Sequence, residues 1–594
     1  MRRFYIWLSL FITIIFPLNE SLSASQSRTN EPPSLLQQQM LRDLDFVHNN
    51  FDAYYAPSEW KKRHFAWDLD TQINKAKASV LANKEVSLKD YHQILRGFFN
   101  STRDYHVSVH SVTTEKATLP FMIKGVKGRY FFVYLDRDKL PKEIFPFEIG
   151  DELLEFDGRP VHDVIQEIKH AELGNDGTKI GDANDFTDQA LAEIYLTSRR
   201  DNTNKIPKGP ITLLCRAQKD DEGKPNSKAK EAQLVWDYFP EWVIDSRQAR
   251  YAFDPRTLQR KQGINNLFNK QMLPGRWPHL MSLQNHLPSC SHNLGSKKSF
   301  LPRLGKIVWE APESCPFDAY LFLDGMERLI GYVRIPHYVA GAPHVNEFAE
   351  LMKEFELKTK ALVIDQVNNP GGSVFYLYSL ASIFAEHPFS TPKHRMKIGQ
   401  DEVMFSRSCL ERFSYISNNQ EAKWAFGGSN IDGYPINYQF IQLLKSYCQF
   451  IIDEWNEGKM FTDPYHLYGV DKIHVSPKAK YTKDILLLTN ELDFSGGDFF
   501  PAIMQDNKRA KIMGARTAGA GGYVLQTSHP NNLGVDSFSV TGSIAERVDN
   551  NPIENLGVSP DWSYEITEKD VQGEYEGYKN EILSVLTMML EGDL

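Results

Sequence analysis

Lys483-Asp-Ile-Leu-Leu-Leu-Thr-Asn-Glu-Leu-Asp-Phe-Ser495-Gly-Gly-Asp-Phe-Phe-Pro501-Ala-Ile-Met504 passes from an apolar run of buried-strand length, through turn residues, into a helix. Ser495 falls at the head of that helix, where backbone N–H groups and the positive end of the helix dipole lie beside its hydroxyl. Gly496 and Gly497 leave room for another stretch of chain to approach. A nucleophile is set in this way, but most Ser-Gly-Gly triplets are plain turns, so the rest of the sequence has to decide.

The alternation of strand and helix continues outward. From Gly305, short apolar segments (Ile307 to Trp309, Leu329 to Ile335, Ala361 to Asp365) alternate with helical ones such as His344 to Lys358, the order of a layered α/β domain. The segment ending at Asp365 runs into Asn368-Asn-Pro-Gly-Gly-Ser373 and a helix from Val374 to Ala385. Gly371 and Gly372 can turn backbone N–H groups toward a ligand oxygen, which makes a second anion-ready turn. Leu35 to Phe99 carries apolar residues three and four apart and reads as a helical packing layer. It leads into Ser101-Thr-Arg-Asp104-Tyr-His106-Val-Ser-Val-His110, an alternating strand with His106 near its start.

From Leu119 to Trp236 the period is that of strands, and Gly150-Asp-Glu-Leu-Leu-Glu-Phe-Asp157-Gly-Arg-Pro-Val161 resembles the core of a PDZ-like domain. Such domains take peptides by adding a strand to a sheet edge; a purely architectural sheet is the alternative here. Arg247 to Arg303 then holds ten Lys or Arg residues against one acid, Asp254, in a chain whose formal charge is −9. A loop of that length with little periodicity is functional or disordered.

The length of 594 residues exceeds one ordinary core, and 41% hydrophobic with 12% aromatic residues suffices to fill several. The mild acidity argues against nucleic acid or an anionic membrane surface as partner. Met1-Arg-Arg3, the apolar run Phe4 to Pro17 and small residues near Ser23 read as a secretory signal, with an export-ready chain of about 570 residues after its removal. Five widely spaced cysteines with no Cys-x-x-Cys do not make a disulfide scaffold; free or buried thiols are the plainer reading, and a Cys290–Cys315 pair across a loop is the alternative.

Acyl transfer needs a nucleophile, a base, a group that holds the base, and donors for the oxyanion. The chain offers Ser495, His106 and a late carboxylate in Pro552-Ile-Glu554-Asn-Leu-Gly-Val-Ser-Pro560. No Gly-x-Ser-x-Gly or His-Glu-x-x-His occurs, His106 and His110 have no evident further zinc ligands, and Gly519-Ala-Gly-Gly522 lacks the context of a dinucleotide loop. No cofactor or metal is expected. Together, Asp104-Tyr-His106, Asn368 to Ser373, Phe494-Ser-Gly-Gly-Asp498, Arg516 to Gly522 and Ile553-Glu-Asn-Leu-Gly557 resemble the tail-specific, S41-type serine proteases.

That resemblance implies a crotonase- or ClpP-like layered α/β protease core, with an N-terminal helical region and an inserted PDZ-like β-rich domain. It implies a Ser-His-Glu triad of Ser495, His106 and Glu554, an oxyanion hole from Gly372 and Gly496, and an acid at Asp104 that supports the histidine unless it is only a turn residue. The Ser-Lys dyad of other members fails, because Ala520 stands where the lysine would be. The divisions expected are a signal peptide at 1–24, helical region at 25–110, PDZ-like domain at 111–240, inhibitory or processing segment at 241–304, and protease core at 305–594. By the same resemblance the protein is a secreted endopeptidase made as a zymogen, a homodimer acting on protein or peptide substrates, host proteins among them. An exported peptide-binding protein without catalysis is the competing reading.

Overall fold

Ala361–Asp365 and Asp484–Thr489 lie side by side, parallel, with Ile364 opposite Leu487, in a seven-stranded sheet. Each is almost entirely apolar because both faces of the sheet are covered. Alternate residues face two separate cores. Val363, Leu486, Leu488 and Met513 join the core that includes Ile582 and Leu586 of the C-terminal helix Glu576–Glu591. Leu362, Ile364, Leu487 and Ile512 join the one that holds Phe348 and Met352 of helix Ala342–Lys358 and Phe500 of helix Gly496–Asp506. In spatial order the sheet runs Lys306–Glu310, Ala319–Leu323, Leu329–Arg334, Ala361–Asp365, Asp484–Thr489, Lys511–Gly514 and Trp562–Ser563. The first two pairings are antiparallel and the rest parallel. The computed structural model describes residues 32–111, 113, 115–177, 183–200, 206–219, 228–241, 290–529 and 531–592.

Two smaller layers flank this sheet. The inserted domain is an antiparallel sheet of Phe121–Val126, Arg129–Leu135, Glu152–Phe156, Pro210–Arg216 and Ala229–Val235, with Arg159–Pro160 pairing beside Glu152–Phe156. Helix Ala183–Thr197 packs on it and reaches the domain of the seven-stranded sheet, where Thr187 Oγ1 donates to Glu491 O at 2.9 Å. Lys124 Nζ bonds Glu491 Oε1 at 2.6 Å across the same junction. The N-terminal helices Leu35–Tyr54, Ser58–Phe65, Leu69–Ala82 and Leu88–Ser101 pack through Met40, Val47, Phe51 and Phe99 onto Phe538 and Val540. Those two lie on Val535–Thr541, the middle strand of a sheet with Ser108–Ser111 and Val524–Ser528.

Three sequence expectations change. The strand after the helical layer begins at Ser108 rather than ahead of His106, because Arg103 adopts φ +48° and the chain turns there. That strand pairs with Val535–Thr541 from the far end of the chain and so leaves the helical region. All five cysteines are free and buried, the plainer of the two readings, and Cys290 and Cys315 are not paired. The expected signal peptide and residues 242–289 of the expected processing segment lie outside the described residues. Residues 290–304 belong to the core: Cys290, Leu294, Leu301 and Leu304 are buried in it.

Candidate active site

The parallel strands Ala361–Asp365 and Asp484–Thr489 release their chains at the same end of the sheet, the end where open α/β sheets bind ligands. The two turns that follow are tied together. Asn369 N donates to Asp493 Oδ1 at 2.9 Å, Asn368 N to Asn490 Oδ1 at 2.8 Å, and Gln366 Nε2 to Gly497 O at 2.8 Å. Both turns therefore move as one body.

Ser495 sits at the N-terminus of helix Gly496–Asp506 with φ +53° and ψ −109°. A serine does not choose that conformation, so the surroundings hold it there. Its N–H donates to Asp498 Oδ2 at 2.7 Å, and Asp498 also accepts from Thr517 Oγ1 (2.5 Å), Gly519 N (2.8 Å) and Ala520 N (3.0 Å). Burial pushes the Asp498 carboxyl up to about 6 despite these four donors. Against the serine lies the glycine turn. A Cβ added to Gly371 would stand 2.8 Å from both Ser495 Cβ and Gly496 N, and one added to Gly496 would stand 3.3 Å from Gly372 N. Only glycines allow that approach.

His106 is 2% exposed. Its backbone N–H donates to Asp104 Oδ1 at 2.9 Å and its carbonyl accepts from Ser539 Oγ at 2.7 Å, while Thr541 Oγ1 holds Asp104 Oδ2 at 2.9 Å. Asp104 is thus a turn residue whose carboxylate fixes the backbone at His106. Neighbouring Tyr105 packs edge-on against Phe494, with ring centres 5.3 Å apart, which brings the histidine turn to the serine turn. Burial pulls the imidazole down to about 3, opposed by Asp104 and reinforced by Lys61.

Glu554 is fully buried. Oε2 accepts from Gly521 N at 3.2 Å, and Oε1 accepts from Lys61 Nζ at 2.5 Å. Burial and the nearby Asp104 push its carboxyl up to about 8, against the pull of Lys61. The loop 519–521 therefore bridges the helix headed by Ser495, through Asp498, and Glu554. Lys61 escaped the sequence reading. It stands in Glu59-Trp-Lys-Lys-Arg63, a charged run that looks like a solvated helix face, and nothing in the pattern distinguishes the one buried lysine.

A family model described as Peptidase family S41 matches residues 329–564, and one described as a PDZ domain matches residues 115–243. An uncharacterised protein of Chlamydia muridarum is 34% identical over 596 residues, covering 94% of this chain and 93% of its own. A Chlamydia trachomatis protein is 34% identical over 577 residues, covering 92% and 91%. Among solved structures, mature CPAF complexed with lactacystin superposes with a TM-score of 0.78 at 32% identity, covering 94% of this chain and 100% of that one. Mature CPAF on its own gives 0.78 and 32% over 94% and 99%. In sequence, Pro392-Lys-His-Arg-Met-Lys397 and Gln400-Asp-Glu-Val403 also resemble the chlamydial protease-like activity factor.

Proposed function

The chain belongs to peptidase family S41 and is a serine protease, and from that premise we propose a secreted endopeptidase working through Ser495, His106 and Glu554. Ser495 Oγ attacks the scissile carbonyl, His106 takes the hydroxyl proton and later returns it to the leaving amine, and Glu554 orients the ring and stabilises the imidazolium. The N–H groups of Gly372 and Gly496 receive the developing oxyanion. The observation that carries this reading is the strained Ser495 turn pressed against Gly371 and Gly372 at the head of a helix. A buried imidazole pulled down to about 3 is neutral at rest, as a base must be. The Asp104 carboxylate, and Glu554 once ionised, then offset the cost of the positive ring formed when the proton arrives.

A fluorophosphonate probe tests the assignment. It is expected to add to Ser495 of wild type, read as a mass increase on the peptide containing residues 494–497, and to spare Ser495→Ala. A wild type that stays unlabelled while binding peptides would favour the non-catalytic binder instead.

Export through the signal at 1–24, assembly as a homodimer, synthesis as a zymogen and action on host proteins complete the proposal. The solved relatives are described as mature CPAF, which supports processing here as well. Because residues 290–304 are core, the activating cuts belong before Cys290.

A further inference from the structure

Lys61 lies in the short helix Ser58–Phe65, and its side chain is completely buried. Burying an ammonium group costs several kcal/mol unless it is matched by well-placed acceptors. Its three hydrogen bonds go to three places: Glu554 Oε1 at 2.5 Å, Asn555 Oδ1 at 2.6 Å and the backbone carbonyl of Arg103 at 3.0 Å. The first two belong to the turn that presents the carboxylate. The third belongs to the turn that presents His106, three residues further on.

We propose that Lys61 is a positioning residue for the reaction, its ammonium group fixing the Glu554 turn and the Arg103–His106 turn in one register. The two turns are brought together from opposite ends of the chain, and no element of secondary structure contains both. Three further bonds do similar work without charge: Asn555 Nδ2 donates to the same Arg103 carbonyl at 2.9 Å and to Asn184 Oδ1 at 3.0 Å, and Trp60 Nε1 donates to Asn555 Oδ1 at 3.1 Å. Asn555 sits at φ +60°, so the turn is held by these partners rather than by backbone preference.

Lys61 has a second effect, on charge. The ionisable groups around Glu554 include Lys61 from its helix, Tyr55 just before that helix, and Asp104 from the histidine turn. Loop 519–521 contributes a backbone N–H, and the Arg103 side chain is turned toward Asp188 at 3.2 Å. Lys61 is the cation bonded to the carboxylate, against burial and Asp104, which both favour the protonated form. Protonated Glu554 could not stabilise an imidazolium. With the cation removed, the carboxyl rises further, and the ionised form requires a higher pH.

The inference rests on the Ser-His-Glu reading, so that reading is secured first, by hydrolysis present in wild type and absent from Ser495→Ala. Then kcat and KM are measured for Lys61→Met, Lys61→Arg, Glu554→Gln and Lys61→Met/Glu554→Gln from about pH 6 to about pH 10. Lys61→Met is expected to lose roughly 10²-fold in kcat near neutrality with KM within about threefold. The acid limb of its profile should move up by about 1–3 pH units, the range set by a lost opposite charge. Lys61→Arg should return the limb toward wild type even where its bulk lowers kcat. In the Glu554→Gln background, Lys61→Met should cost clearly less than in wild type and leave the acid limb in place, because only the bonds to Asn555 and Arg103 remain to be lost. A loss that is independent of pH, or undiminished in the Glu554→Gln background, would overturn the proposal. Should Lys61→Met not fold, leaving Glu554 buried without its cation, the double variant buries neither charge and its comparison with Glu554→Gln decides alone. Wild-type rates in Lys61→Met would reject the role of Lys61 and leave the triad standing.

Discussion

Ser495 and Gly372 fail in different ways when replaced. On the proposed triad, Ser495→Ala and His106→Ala remove reacting atoms, so peptide hydrolysis should fall by on the order of 10⁴-fold or more, with the thermal midpoint little changed in Ser495→Ala. Glu554→Gln should hurt less, since it keeps the shape while weakening imidazolium stabilisation. Turnover at the wild-type rate in His106→Ala would sink the triad. Gly372→Val is another matter. Its Cβ would stand 2.3 Å from the carbonyl carbon and oxygen of Tyr338, at a φ of +147° that side chains avoid. Tyr338 pairs with this turn, donating to Gly371 O at 2.8 Å and accepting from Ser373 N at 2.7 Å. The variant should therefore lose roughly 10²-fold in kcat for the donor and also melt earlier, because the strain reaches the backbone. Full activity with an unchanged midpoint would put the oxyanion donor elsewhere.

Helix Gly496–Asp506 owes its start to Asp498, which holds Ser495 N, Thr517 Oγ1, Gly519 N and Ala520 N on one buried carboxylate. Asp498→Ala would strand these donors at about 1–3 kcal/mol for each that finds no other partner. We expect urea unfolding to register a loss of several kcal/mol, accompanied by lower kcat as the Ser495 turn relaxes. A variant as stable as wild type would show that the donors re-pair. The element itself was legible in the sequence, since an apolar run, turn residues and two glycines before an apolar helix leave few alternatives. The network under it was not. Asp498 reads as an ordinary first-turn acid, and the loop it binds comes from 19 to 22 residues further on. Lys61 was hidden for a related reason: helical periodicity reports the face of a helix, while its burial is decided by Glu554 and Asn555, nearly five hundred residues away. His106 was singled out through its motif, but alternation misplaced it into a strand because the turn at Arg103 leaves no mark in the hydrophobic pattern.

The whole molecule is divided differently from its sequence. Composition marked Arg247 to Arg303 as one segment, yet the final part is clasped by the site: Asn368 Nδ2 donates to His292 O at 3.0 Å, Gly295 N to Asn368 O at 2.8 Å and Arg334 Nε to Ser296 O at 2.8 Å. These contacts are long-range and polar, so local composition could not announce them. A cut before Cys290 would leave His106 and Lys61 on one fragment, and Ser495 and Glu554 on the other. With the cysteines free, no disulfide among them would join the two. Following wild type and Ser495→Ala over time, we expect the first to nick itself while activity rises and the second to stay whole. The nicked halves should co-elute in native buffer and part in denaturant without reductant; an uncut wild type already fully active would remove the zymogen proposal. The pairing of Ser108–Ser111 with Val535–Thr541 also bears on how the cell makes this enzyme. Ser108 waits for Ser539, 431 residues later. A ribosome adding about 5–20 residues per second needs roughly 20–90 s to cover that stretch. On the proposed triad, the nascent polypeptide carries throughout that interval a histidine with no serine to activate, and neighbouring proteins meet a half-written enzyme that cannot cut them.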